Sequence, residues 1–287
     1  MDRRNFIKTI GVVGASVLPA RSLRSEEIAN EAVEFKGILV DTTRCAGCQN
    51  CSVVCAESHE LPEPDLDEMF EINGNRPTTP DQWTTISRFE VGDEEIYVKK
   101  QCMHCNQPAC ATACPTKALL KTEEGPVIWR GDKCMGCRFC MISCPYDIPK
   151  FEYDSPNPRI MKCVMCWEKL NEGEIPECVA NCPEEAIVFG TRRELIDQAK
   201  SRIYTEPDRY VHEIYGEHEV GGTGYLYLAG VPFDQLGFKN DLGNVAYPEY
   251  TKTFLYSVPF VITLWPAFLL ALHNATKKDE KDVEGGM

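Results

Sequence analysis

Sixteen cysteines in this 287-residue chain fall into four ordered groups, and none is left over. The first is Cys45, Cys48, Cys51 and Cys55, and the third is Cys134, Cys137, Cys140 and Cys144; both have gaps of two, two and three residues. The second, Cys102, Cys105, Cys110 and Cys114, has gaps of two, four and three. The fourth, Cys163, Cys166, Cys178 and Cys182, has gaps of two, eleven and three. Proline follows the last cysteine in three groups, as Pro115, Pro145 and Pro183; Ala56 stands there in the first.

This spacing has a mechanical reason. Thiolates separated by two residues sit on one tight loop and hold adjacent irons of one cubane. A cysteine four positions after the third lies one helical turn on and reaches a different cluster. Each group thus supplies three ligands to one cluster and one to its partner. Sixteen ligands at four per cluster give four [4Fe–4S] clusters. The alternative is a structural protein stapled by zinc or disulfides. Zinc ribbons need two C-x2-C pairs rather than runs of four closing in Cys-Pro. Disulfides within a run at this spacing would be strained. Covalent haem attachment is excluded, because Gln49, Asn106, Arg138 and Trp167 stand where the motif requires histidine.

Short apolar runs surround the groups. Gly37–Val40 precedes the first, Ile96–Val98 precedes the second, and Ala186–Phe189 follows the fourth. Ala118–Leu120 and Pro126–Trp129 flank the polar turn Thr122–Gly125, a hairpin signal. The intervals between groups are 46, 19 and 18 residues, so the second and third are nested between the first and fourth. The expected fold class is α+β: two pseudo-symmetric ferredoxin-like modules of two clusters each, with long loops, plus one C-terminal transmembrane helix. Residues 102–150 are expected to form the inner module, and 36–101 with 151–190 the outer one. Residues 191–252 are a C-terminal extension. It opens with a capping box at Thr191 and Glu194 that starts a helix to about Ile203, and it carries a strand at Tyr225–Leu228. Leu61–Glu68 is a surface loop rich in proline and acid.

The two ends differ from the middle. Paired Arg3 and Arg4, then Phe6-Ile7-Lys8 and the apolar run Ile10–Leu18, read as a twin-arginine export signal over residues 1–24. Residues 253–272 carry no charge, and as a helix they span about 30 Å, the thickness of a bilayer core. The alternative is a buried core helix. Lys277, Lys278 and Lys281 in the tail, 273–287, place that end in the cytoplasm. The body is then expected on the periplasmic face of the inner membrane. Export in a folded state suits clusters built in the reducing cytosol.

A formal net charge of −14 argues against nucleic acid as a partner. A cation precedes each cysteine group (Arg44, Lys100, Lys133, Lys162), and Arg138 lies inside the third. A nearby positive charge favours a reduced cluster, so Lys133→Ala or Arg138→Glu is expected to lower a potential unless these heads point into water. The five histidines are scattered; His104 is expected beside a cluster rather than on it, and His273 at the membrane interface. No catalytic constellation accompanies the cysteines, so the chain conducts rather than catalyses.

The four groups, the twin-arginine start and the single terminal span resemble the four-cluster ferredoxin-type subunits of membrane-bound bacterial oxidoreductases. The stretch Gly221–Phe238 (GGTGYLYLAGVPFDQLGF) resembles the hydrogenase-2 (Hyb-type) subunit most. The resemblance implies that Cys45, Cys48, Cys51 and Cys182 hold one cluster, and Cys55, Cys163, Cys166 and Cys178 its partner. It assigns Cys102, Cys105, Cys110 and Cys144 to the third, and Cys114, Cys134, Cys137 and Cys140 to the fourth. It further implies electron transfer between a periplasmic catalytic subunit, a nickel–iron hydrogenase, and an integral-membrane quinone-reactive subunit. A molybdopterin enzyme such as formate dehydrogenase-N, or a polysulfide or sulfoxide reductase, is the alternative partner.

Overall fold

The computed structural model describes residues 34–71 and 73–276. The expected export signal at 1–24 and the tail lysines lie outside these residues. Of these, residues 34–250 belong to one compact unit of mixed helix and strand, and residues 251–276 to another.

The centre is a three-stranded sheet. Strand β1 (Lys36–Asp41) pairs antiparallel with β8 (Ile187–Thr191) on one side and parallel with β9 (Tyr225–Leu228) on the other. Strand side chains alternate between faces, and here both faces are covered. Ile38, Val40, Tyr225 and Tyr227 pack in the core that contains Cys51 and Cys178. Leu39, Leu226 and Leu228 pack with Leu195 and Ala199 of helix α7 (Arg192–Thr205). The sheet therefore separates the cysteine-bearing side from a plain apolar layer. The extension beyond residue 191 is integral to the fold, because it supplies β9, whose four residues are all buried.

The expected strands and hairpin are present. β2 (Thr85–Val91) and β3 (Glu94–Lys100) form a two-stranded ribbon before the second cysteine group. β4 (Leu119–Lys121) pairs with β5 (Val127–Trp129) across the polar turn, and β6 (Lys150–Phe151) with β7 (Ile160–Met161). Thr191 caps α7 as expected: its side chain accepts from the Glu194 N–H, and Glu194 accepts from the Thr191 N–H. Leu61–Glu68 is largely exposed, but it closes on a buried arginine: Glu68 pairs with Arg76, which is 2% exposed.

The last helix, α8, runs over Tyr247–Thr276, longer at both ends than the charge-free stretch. Its 30 residues measure about 45 Å. None is buried, and an 18-residue window has mean hydropathy 1.9. The expectation of a buried core helix is thereby removed. Among the described residues it is the one helix long and apolar enough to cross a bilayer.

Candidate cofactor sites

All sixteen cysteines carry free thiols, which removes the disulfide alternative. Each group is built the same way. The residue before the second cysteine adopts left-handed backbone in all four: Gly47 (φ 69°), His104 (47°), Gly136 (72°) and Met165 (58°). This tight turn holds the first two cysteines of each group on one loop. The third cysteine then opens a short helix: Cys51 in α1 (Asn50–Ser58), Cys110 in α3 (Ala109–Thr112), Cys140 in α4 (Phe139–Ser143) and Cys178 in α6 (Glu177–Ala180). In three groups the helix stops before the Cys-Pro pair, because proline disfavours a helical residue ahead of it. Where Ala56 replaces proline, α1 continues to Ser58. The short helices α2 (Glu68–Glu71) and α5 (Trp167–Asn171) fill the intervening loops.

Burial pushes these thiols upward: Cys51 and Cys163 to about 12, Cys140 and Cys144 to about 11, with Cys55, Cys105 and Cys110 also raised. After burial, the thiols raise one another, and this identifies neighbours across the chain. Cys182 and Cys48 act on Cys45. Cys163 and Cys178 act on Cys55, and Cys178 on Cys166. Cys102, Cys144 and Cys110 act on Cys105. Cys114, Cys134 and Cys137 act on Cys140. Each neighbourhood joins thiols of one group to the last cysteine of another: Cys182, Cys55, Cys144 and Cys114.

The neighbourhoods also adjoin in a line. Cys178 acts on Cys51, Cys102 on Cys163, and Cys140 on Cys110. The two exposed cysteines are Cys48, in the first neighbourhood, and Cys137, in the last.

The donor sets suit iron–sulfur clusters. Thiolates are the ligands such clusters require. Among the described residues no three His, Cys, Asp or Glu converge as a single-ion site. Backbone donors reach the sulfurs: Met165 N–H to Cys163 Sγ at 3.3 Å and Ala118 N–H to Cys114 Sγ at 3.2 Å. Tyr225 Oη is buried without a protein partner, and Tyr225 lies within electrostatic reach of Cys163, Cys178 and Cys166.

The cations divide. Lys133 and Arg138 are exposed, and the Arg138 guanidinium lies over the Phe151 and Tyr153 rings, 5.2 and 5.6 Å from their centroids. Lys100 reaches Asn75 and the Gly237 carbonyl, and Arg44 reaches Asp41 at 3.7 Å. Lys162 is 2% exposed and donates to the carbonyls of Val127 and Cys163, the latter at 2.9 Å. His104 is fully buried; its Nδ1 accepts the Val127 N–H at 2.8 Å, and burial holds it well below the usual imidazole range. His273 is exposed on α8. Sequence reasoning passed over Lys99, which is 1% exposed among the thiols. It also passed over His59, 3.6 Å from Cys166 Sγ, and Thr84, whose Oγ1 donates to Cys55 Sγ at 3.7 Å. No motif marks these three, since each meets its thiol only through tertiary packing.

Comparison with known proteins agrees with this geometry. The 4Fe–4S dicluster domain family matches residues 94–192, which hold the second, third and fourth cysteine groups. The chain is 40% identical to a protein of Nitratidesulfovibrio vulgaris, over 98% of this chain and 78% of that one. It is 34% identical to the hydrogenase-2 operon protein HybA of Escherichia coli O157:H7, over 98% of both. Over 66% of both chains it is 32% identical to the iron–sulfur subunit of the nitrate-inducible formate dehydrogenase of Escherichia coli K12.

Proposed function

The chain belongs to the family of iron–sulfur subunits that includes HybA and the formate dehydrogenase iron–sulfur subunits, and from that premise we propose that it relays electrons through four [4Fe–4S] clusters. Cys45, Cys48, Cys51 and Cys182 hold the first, and Cys55, Cys163, Cys166 and Cys178 the second. Cys102, Cys105, Cys110 and Cys144 hold the third, and Cys114, Cys134, Cys137 and Cys140 the fourth. The observation that carries this reading is the joining of thiols from different groups into four adjoining neighbourhoods. Two pseudo-symmetric modules follow, the outer from the first and fourth groups and the inner from the second and third.

Bound there, a [4Fe–4S] cluster supplies reversible one-electron chemistry. The chain's own residues order and insulate the sites. The left-handed turns hold each Cys-x-x-Cys pair on one loop, the β8–β1–β9 sheet closes one side, and Ile38, Val40 and the two tyrosines of β9 keep water from the Cys51 and Cys178 side. Exposure of Cys48 and Cys137 at opposite ends of the line suits electrons arriving at one end and leaving at the other.

On this reading α8 anchors the protein to the periplasmic face of the inner membrane, with export by the twin-arginine route. The catalytic partner is a nickel–iron hydrogenase, supported by full-length similarity to HybA, and a membrane subunit exchanges electrons with quinone. A molybdopterin enzyme is the second reading, favoured by the similarity to a formate dehydrogenase subunit. Iron and sulfide analysis of anaerobically purified protein tests the cofactor reading, with about sixteen of each expected per chain. Hydrogen- against formate-dependent quinone reduction by the complex isolated from membranes decides the partner.

A further inference from the structure

Lys99, at the end of β3, is 1% exposed. Its Nζ donates to Gln101 Oε1 at 2.9 Å and lies 5.3 Å from the Tyr225 ring centroid. Gln101 Nε2 in turn donates to Tyr227 Oη at 2.6 Å, and that hydroxyl donates to the Lys99 carbonyl at 2.8 Å. Three residues thus form a closed loop that fixes the ammonium in place. Its strongest electrostatic neighbours are Cys178, Cys51 and Cys163, followed by Tyr227; no carboxylate is among them. Burying an ammonium without a counter-charge is strongly destabilising. Evolution of such a site makes sense only if negative charge arrives with the cofactors.

Lys99 also acts on Cys45, Cys55 and Cys166. Its reach therefore covers the first two neighbourhoods. The third has different cations: Lys121 acts on Cys105, and Lys162 on Cys110.

We propose that Lys99 is the shared counter-charge of two adjacent clusters, those of Cys45, Cys48, Cys51, Cys182 and of Cys55, Cys163, Cys166, Cys178, and that its fixed charge raises both reduction potentials. This rests on the ligand sets proposed above. Reduction adds one negative charge to a cluster, and a buried cation favours the more negative state in a low-dielectric interior. A single side chain between two sites holds their potentials up together and keeps electrons shared between them. Lys99 is a positioning residue for charge; it binds no metal.

The test is a redox titration of the full-length chain, isolated anaerobically and followed by electron paramagnetic resonance, with iron and sulfide measured in parallel. Lys99→Met is expected to keep its iron, to lower two of the four midpoint potentials and to leave two unchanged. Full iron with no shift overturns the proposal, and so does an equal shift of all four, which marks general loosening. Where Lys99→Met loses iron, Lys99→Arg decides. Recovery of iron and native potentials supports a role for charge; continued loss assigns the position to packing and overturns it. A native chain lacking iron–sulfur signals sinks the cofactor reading itself, a result distinct from every variant outcome.

Discussion

His59 Nε2 stands 3.6 Å from Cys166 Sγ, joining the residue that ends α1 to a thiol of the fourth cysteine group. The ring also leans on Trp83, with centroids 4.8 Å apart. Burial lowers its pKa, so the imidazole is neutral at pH 7 and offers one N–H. Hydrogen bonds to ligating sulfurs tune cluster potentials. His59→Phe keeps the stacking and removes the sulfur contact. It is expected to lower the midpoint potential of one cluster, read in a redox titration, with the other three unmoved.

Gly47 lies between Cys45 and Cys48 at φ 69°, and a Cβ there would meet the Tyr97 ring at 2.5 Å. Gly47→Ala therefore combines an unfavourable backbone conformation with a clash. A cost of about 1–2 kcal/mol is expected from the backbone alone. The measurements are the denaturation midpoint and iron per chain; Gly92→Ala, also at positive φ but with open space around it, isolates the steric part.

Ala56 is where the first group departs from Cys-Pro. It is 5% exposed and sits inside α1, with its carbonyl accepting the Leu61 N–H at 3.0 Å. Ala56→Pro removes a helical donor and disfavours helical backbone at Cys55. The expected loss is about 3 kcal/mol in urea denaturation. Equal stability would show that the group tolerates the shorter helix of the other three.

The raised thiols set a pH dependence. Cys51 and Cys163 stand at about 12 in the folded chain against 9.0 in the open chain. Their neutral form therefore stabilises the metal-free fold below pH 9, and this contribution is lost as pH rises toward 12. The slope is about 1.4 kcal/mol per pH unit for each thiol. Metal-free protein is expected to lose stability from pH 9 upward in urea melts, while the iron-loaded protein, its thiols already deprotonated, does not share that loss. Reconstitution with iron and sulfide is expected to release protons at pH 7.

Much of this was legible in the residue order, for a physical reason: ligand spacing, strand alternation and capping are local. Cys-x-x-Cys with a third cysteine close behind specifies a turn and a short helix whatever surrounds them. Ile38 to Val40 and Tyr225 to Leu228 declare buried strands, and Thr191 with Glu194 declares the start of α7. The charge-free run before Leu272 declares a long apolar helix. Other features were illegible because they depend on distant partners. Nothing near Lys99 in the chain distinguishes it from Lys100, yet the β3 pleat sends one inward among thiols and the other out to Asn75 and Gly237. The pairing of β1 with β9, about 190 residues apart, and the contact of His59 with Cys166 exist only after the chain has closed on itself. Side-chain burial is a property of that closed surface, so tertiary structure alone decided which cations sit beside the sulfurs and which face water.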